Sequence, residues 1–215
     1  MEDAPTEQTP PAETQAPAGM VEVPAGPFRF GRGRGREASL GRFWIDTTPV
    51  TNADYLRFVD DHHRPAPRHW PREGLPDELL ELPVVYVTYA EAEAYAEALG
   101  KRLPTPAQFE KAARGTEGLR YPWGNGLRAR ATNTRETGLG QLESVHAFPR
   151  GASPYGCLDL AGNVLHWTRT GDGGDVRVLK GGSFLRFVAA SAWSDEAPQE
   201  ARLPDLGFRC VWLPG

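Results

Sequence analysis

Hydrophobic positions along this chain switch between two periods, and the switches mark its elements. In MVEVPAGPFRFG (20–31) the alternation of Met20, Val21 and Val23, then Phe28 and Phe30, predicts two short strands broken at Pro24-Ala25-Gly26. Phe43, Trp44 and Ile45 predict a third. The spacing then turns helical. Tyr55, Leu56 and Val59 form an inner stripe behind Thr51, which pairs with Asp54 as a capping box. PVVYVTY (83–89) reads as a buried strand from its β-branched run. Thr88 with Glu91 opens a second helix, with Ala92, Tyr95, Ala98 and Leu99 as its apolar face and Gly100 as its stop. Thr105, Pro106 and Gln108 repeat the device for a third helix that ends at Gly115.

Between the first two helices, residues 62–83 are punctuated by proline and predict mostly loop, with Trp70 plugging the edge of the core. Residues 121–125 and 132–149 predict turn and loop. SPYGCLDLAGNVLHWTRT (153–170) predicts a sharp turn feeding a buried strand, with Gly156 and Gly162 supplying backbone freedom. RTGDGGDVRV (169–178) reads as a tight link between two strands, and LGFRCVW as a last strand paired in the core. No internal repeat is visible, so residues 20–215 are expected to form one domain. Residues 1–19, an acidic Pro/Thr/Ala tail, cannot bury a core and are expected to be disordered.

Composition narrows the partners. A net charge of −4 argues against nucleic acid, which is gripped by clustered Lys and Arg. The one basic cluster, Arg32 to Arg36, reads as a solvated glycine loop. No apolar run approaches a membrane span, and residues 1–19 lack the hydrophobic region of a signal peptide. No membrane insertion is expected, while cytoplasmic and mature exported forms both stay open. Cys157 and Cys210 are the only cysteines, and they allow either one disulfide or two free buried thiols.

Several segments resemble one family. DLAGNVLHW is similar to the DxxGNVWEW signature of the formylglycine-generating enzymes, or sulfatase-modifying factors, and KGGSF and LGFRC to that family's RGGSW and GFR elements. TNADYLRF and GKRLPTPAQFEKAARG match further family segments, with Pro49 where a glutamate is usual, Phe109 for a tryptophan and Lys111 for a tyrosine. The resemblance covers nearly the whole region from residue 20. It implies an α+β, loop-rich, C-type-lectin-like fold with short antiparallel strands and about three short helices.

The resemblance also implies chemistry, and this chain departs from it. The family oxidises a substrate cysteine with copper(I) held by two thiolates just past the GGS element, a pairing that suits a soft ion. Here those positions fall close to Arg186 and Ser191, and no cysteine occurs between 158 and 209. Copper is therefore not expected. The resemblance implies that iron chemistry of the kind run by a second branch of the fold takes its ligands from a separate helical domain, so it is not expected of residues 20–215 alone. Structural calcium remains open. One site would use Asn163 and the Val164 carbonyl, although His166 stands where the family has a glutamate. The other would use Asn133, the Thr134 carbonyl, Glu136 and the Leu139 carbonyl. In the alternative reading both asparagines simply satisfy turn backbones. His62, His63 and His69 read as loop histidines, Ser183 as an element of the fold, and GRGRG as a false phosphate loop.

What remains is a surface. Arg186, Phe187, Ser191, Trp193 and Asp195 fall in the segment that such folds leave exposed, and an aromatic-plus-arginine composition suits an interaction hot spot. The expectation is a non-oxidase member of the family acting as a binding or scaffold module for a protein, peptide or glycan. The alternative is a divergent enzyme using non-cysteine residues.

Overall fold

Three threonines start the main helices. In the computed structural model, which describes residues 16–33, 35–171, 174–187 and 190–214, they cap α1 (Asn52–Asp61), α3 (Tyr89–Ala98) and α4 (Pro106–Arg114). Each helix has a complete capping box, so two orphan amides are satisfied reciprocally at each N-terminus. A single extra turn, α2 (Asp77–Leu80), interrupts the proline-rich excursion. Residues 1–15 of the expected tail lie outside the described residues.

The strands form three small sheets. β1 (Met20–Val23) pairs antiparallel with β4 (Phe43–Asp46), which also pairs with β9 (Val211–Trp212). β2 (Gly26–Phe30) and β3 (Arg36–Leu40) make a hairpin. The third sheet has the order β7 (Ser194–Pro198), β6 (Val176–Lys180), β5 (Leu165–Trp167) and β8 (Leu206–Gly207). Its β5–β8 pair is parallel, the one departure from the antiparallel expectation among the described residues. The expected link between β5 and β6 is present, although Asp172 and Gly173 lie outside the described residues.

The expected strand at 83–89 does not form. Val84, Val85 and Val87 are buried, but Pro83 makes only an isolated bridge to Thr51. The amides of Val84 and Tyr86 donate to the Val50 and Leu203 carbonyls, at 2.9 and 3.2 Å, so no partner strand runs alongside. Tyr86 itself takes φ 57°, which breaks the pleat. On α3 the inner face is Ala92, Tyr95 and Ala96, whereas Ala98, the last helical residue, and Leu99, the C-cap, are exposed, Leu99 by 46%.

Two buried clusters organise the fold. One gathers Tyr55, Phe58, Trp70, Tyr95, Trp167 and Phe208; Tyr55 stacks on Tyr95 at 5.7 Å and the Phe208 ring meets Tyr95 edge-on at 5.2 Å. Trp70 thus seals the core edge, as the sequence suggests. The other cluster packs β1, β4 and α4 through Val23, Phe43, Ile45 and Phe109, with Cys157 and Leu160.

One surface clamp has a pH signature. The Glu91 carboxylate accepts from both Arg202 terminal nitrogens, at 2.6 and 2.7 Å, and from the Thr88 amide at 2.8 Å. Burial pushes this carboxyl up, but the Arg202 and Thr88 bonds outweigh it and hold the group below its ordinary 4.5. A depressed folded value means stability that is present above pH 4.5 and lost as pH falls through the folded value. Both side chains are more than a third exposed, so solvent screening keeps this below about 1 kcal/mol. Urea titrations should show wild type losing more stability than Glu91→Gln between neutral pH and pH 3; parallel curves would contradict the assignment.

Candidate functional site

The segment after β6 carries the residues singled out from sequence as a binding surface. Ser183 donates to Asp205 Oδ2 at 2.6 Å, anchoring the GGS element inside the fold. Beyond it the Arg186 guanidinium lies 3.2 Å from Asp195 and 3.9 Å from Asp205. The Arg186 carbonyl accepts from the Arg135 amide at 2.8 Å, and the Arg135 guanidinium sits 5.3 Å from the ring centre of Phe187. Phe187 is 65% exposed. Arg186, Phe187 and Asp195 therefore share one surface patch, with Arg186 already committed to two carboxylates.

Ser191 lies deeper. Its amide donates to the Arg120 carbonyl at 2.8 Å, and its buried hydroxyl has no partner among the described residues. On either side Ala190 and Ala192 line a cleft of 370 Å³ together with Arg32, Arg114, Arg120, Asn125 and Trp193. Among the described residues this lining has three arginines and no carboxylate. Trp193 is half-buried, its inner side packed on the main core.

The cleft floor rests on a buried charge cluster that sequence reasoning did not single out. Glu110 on α4 accepts from the Gly31 amide at 2.6 Å, from Arg114 Nη1 at 2.9 Å and from Lys180 Nζ at 3.0 Å. Arg114 also donates to the carbonyls of Gly31, Gly118 and Leu119. Lys111 reaches the Pro24 and Gly26 carbonyls. The available signal was Glu110, Lys111 and Arg114 alternating with Phe109, Ala112 and Ala113 on a helix buried around most of its girth.

The two asparagines proposed for separate calcium sites meet each other. Asn133 Nδ2 donates to Asn163 Oδ1 at 3.0 Å, and the Asn163 amide donates to the Asn133 carbonyl at 2.7 Å. Asn163 Oδ1 also accepts from the Glu143 amide at 3.1 Å, while its Nδ2 donates to Asp159 Oδ2 at 2.8 Å. The Thr134 carbonyl accepts from the Thr137 hydroxyl at 2.6 Å and from its amide at 3.0 Å. Val164 is fully buried, whereas Glu136 and Leu139 lie on the exposed side of the loop. Asn163 Oδ1 and the Thr134 carbonyl, two of the oxygens a calcium ion would use, are thus engaged by protein donors. Asp159, missed from sequence, is the buried carboxyl of the knot, and burial pushes it up to about 7.

A second knot surrounds Arg209, which is fully buried. Its Nε donates to His166 Nε2 at 3.2 Å, and its terminal nitrogens reach the carbonyls of Asp46, Thr47, Leu158 and Asp159. Burial, then the Arg209 charge, lowers the His166 imidazole well below its ordinary range, so it stays neutral. Cys157 and Cys210 are both buried and unbridged. Burial pushes both thiols up, which leaves them protonated at neutral pH.

A family profile described as the sulfatase-modifying factor enzyme 1-like domain matches residues 5–214. The chain belongs to that family. The inactive C-alpha-formylglycine-generating enzyme 2 of Mus musculus is 34% identical, over 94% of this chain and 87% of the relative. The formylglycine-generating enzyme of Thermomonospora curvata is 30% identical, over 91% and 94%. Among solved structures, Treponema denticola variable protein 1 superposes with a TM-score of 0.77 at 21% identity, covering 91% of this chain and 95% of that one, which shows a shared fold. Mixed α and β structure with short strands, as the resemblance implied, is what this sulfatase-modifying-factor chain has. Among its described residues no helix is long and apolar enough to cross a membrane.

Proposed function

We propose that this chain is a non-oxidising member of the sulfatase-modifying factor family that binds an acidic peptide segment of a partner protein in the arginine-lined cleft. One observation supports this most. The positions that resemblance assigns to the copper thiolates fall close to Arg186 and Ser191, no cysteine occurs between 158 and 209, and Cys157 and Cys210 are buried and unbridged. Similarity to a relative named as inactive points the same way. Ser191 lies between two residues of the cleft wall, and that cleft offers positive charge and an aromatic edge, which supports a binding role. Such a lining attracts carboxylates and gives tryptophan and arginine as anchors.

Two measurements test the reading. Metal analysis and mass spectrometry with a cysteine-bearing peptide should find neither stoichiometric copper nor a formylglycine product; either would overturn it. On a peptide array, acidic segments should bind with marked salt dependence. An exposed charge is worth up to about 1 kcal/mol, so replacing both Arg32 and Arg120 by alanine should weaken binding roughly tenfold. Retention of full affinity in that double variant would remove the cleft from the proposal.

Calcium has no part in this reading. A tightly held ion would add about 2.7 kcal/mol at a hundredfold excess over its Kd, which is several degrees in a chain of this size. Melting curves in millimolar calcium and in EDTA should instead coincide.

A further inference from the structure

A second cavity, sharing no lining residue with the arginine cleft, opens beneath the proline-rich excursion. It measures 340 Å³ and is walled by Asn52, His69, Trp70, Tyr86, Gln141 and Phe184 with further, mostly apolar, side chains. That volume is within the range of small-molecule sites, which are mostly apolar with a few placed polar groups. No carboxylate, lysine or arginine lines it. Burial lowers the His69 imidazole pKa, so at neutral pH that ring is uncharged as well.

Two polar atoms of this wall have no partner among the described residues. Asn52 is 6% exposed; its Nδ2 donates to the Leu79 carbonyl at 2.9 Å, which orients the amide, yet its Oδ1 has no partner among the described residues. Trp70 is 9% exposed, and its indole Nε1 is likewise without one. Buried polar atoms are nearly always paired, so an orphaned acceptor and an orphaned donor on one cavity wall call for an explanation. They are of opposite sense, the acceptor and donor that complement the N–H and C=O of an amide group.

The wall is also held in a conformation that local preference disfavours. Tyr86 sits at φ 57°, unusual for a bulky residue, and strain of this kind persists only where surroundings fix it. Here the Tyr86 amide donates to Leu203 and its carbonyl accepts from Arg202 at 2.9 Å. Arg202 is in turn locked by Glu91. The clamp holds the Tyr86 ring 4.7 Å from the His69 ring, forming one aromatic side of the cavity.

We propose that this cavity binds a neutral amide bearing an apolar substituent, on the scale of a capped amino acid. Its carbonyl accepts from the Trp70 indole N–H and its N–H donates to Asn52 Oδ1. The test is NMR of the full chain labelled with ¹⁵N at tryptophan indoles, titrated with N-acetyl-leucinamide and with a pentapeptide having leucine at its centre. The resonance that disappears in Trp70→Phe should move saturably, and Asn52→Leu should weaken binding by about tenfold or more. A response to the capped amino acid alone identifies a free small molecule as the ligand type; a response to the peptide as well identifies a protein segment. No saturable movement up to about 20 mM of either probe, the result expected if only ordered water pairs these atoms, overturns the proposal. Should Asn52→Leu fail to fold, Trp70→Phe removes the indole donor while leaving a smaller aromatic ring, and undiminished binding to it by calorimetry is equally fatal.

Discussion

Replacing Glu110 by alanine should cost about 3–5 kcal/mol, a large share of the 5–15 kcal/mol that holds a typical domain folded. The carboxylate is 1% exposed and bonds to three groups from separate parts of the chain: the Gly31 amide at the end of β2, Arg114 on α4 and Lys180 on β6. Alanine leaves the Lys180 ammonium, itself 2% exposed, with no counter-charge. Burial already lowers the Lys180 pKa, and Glu110 is the main influence opposing that, so without it the lysine must stay charged at high cost or release its proton. Glu110→Gln, which keeps the shape, should lose less. The double variant Glu110→Leu with Lys180→Met should lose less than the two single changes added together, because it removes the buried charge at both ends of the pair. Urea unfolding followed by tryptophan fluorescence gives all three. A loss under about 1 kcal/mol for Glu110→Ala would mean that the cluster is solvated and holds nothing. Since Arg114 reaches from Glu110 into the cleft lining, a folded Glu110→Gln protein should also bind the acidic ligand differently from wild type.

What the sequence made legible was local. Thr51, Thr88 and Thr105 announce their helices because a capping box is written within four consecutive residues. β7 was not legible, since SDEAP has no apolar alternation and becomes a strand only through its register with β6, Asp195 opposite Leu179 and Ala197 opposite Arg177. β3, REASL, is likewise polar and mostly exposed, and is formed by its hairpin partner. PVVYVTY misleads for the opposite reason: its burial is real, but Leu203 and Arg202, more than a hundred positions away in the chain, fix Tyr86 in a conformation no strand allows.

The same division runs through the candidate site. Motif spacing placed Arg186 and Ser191, and a reading of composition added Phe187, Trp193 and Asp195. Nothing local could add Arg120 and Asn125, which reach the cleft from a loop some seventy residues earlier. Nor could spacing show that Asn133 and Asn163 bond to each other instead of serving two ions. Long-range pairing decides those cases, and a single sequence records only its endpoints.

The Asn133–Asn163 knot should fail if Gly162 becomes alanine. Gly162 takes φ 135°, and a Cβ there would lie 2.0 Å from the Thr132 hydroxyl and 2.6 Å from the Asn133 carbonyl oxygen. Neither can yield cheaply. The Thr132 hydroxyl donates to the Ala161 carbonyl, and the Asn133 carbonyl accepts the Asn163 amide at 2.7 Å. The two backbone segments must separate, which breaks these bonds and leaves buried asparagine groups and the Asp159 carboxyl without their partners. Steric and unpaired-group costs together should exceed about 4 kcal/mol, in the exceptional tail for a single substitution. Gly156 provides the control. It also has a positive φ, 86°, but nothing lies within 4 Å of the added methyl, so only backbone strain of about 1–2 kcal/mol is at stake. Comparing Gly162→Ala with Gly156→Ala by urea unfolding therefore separates close packing from conformational preference. Equal losses in the two variants would mean that the approach of residues 132–134 to 161–163 is looser than the structure has it, and that the knot contributes little to holding the GGS segment and its cleft in place.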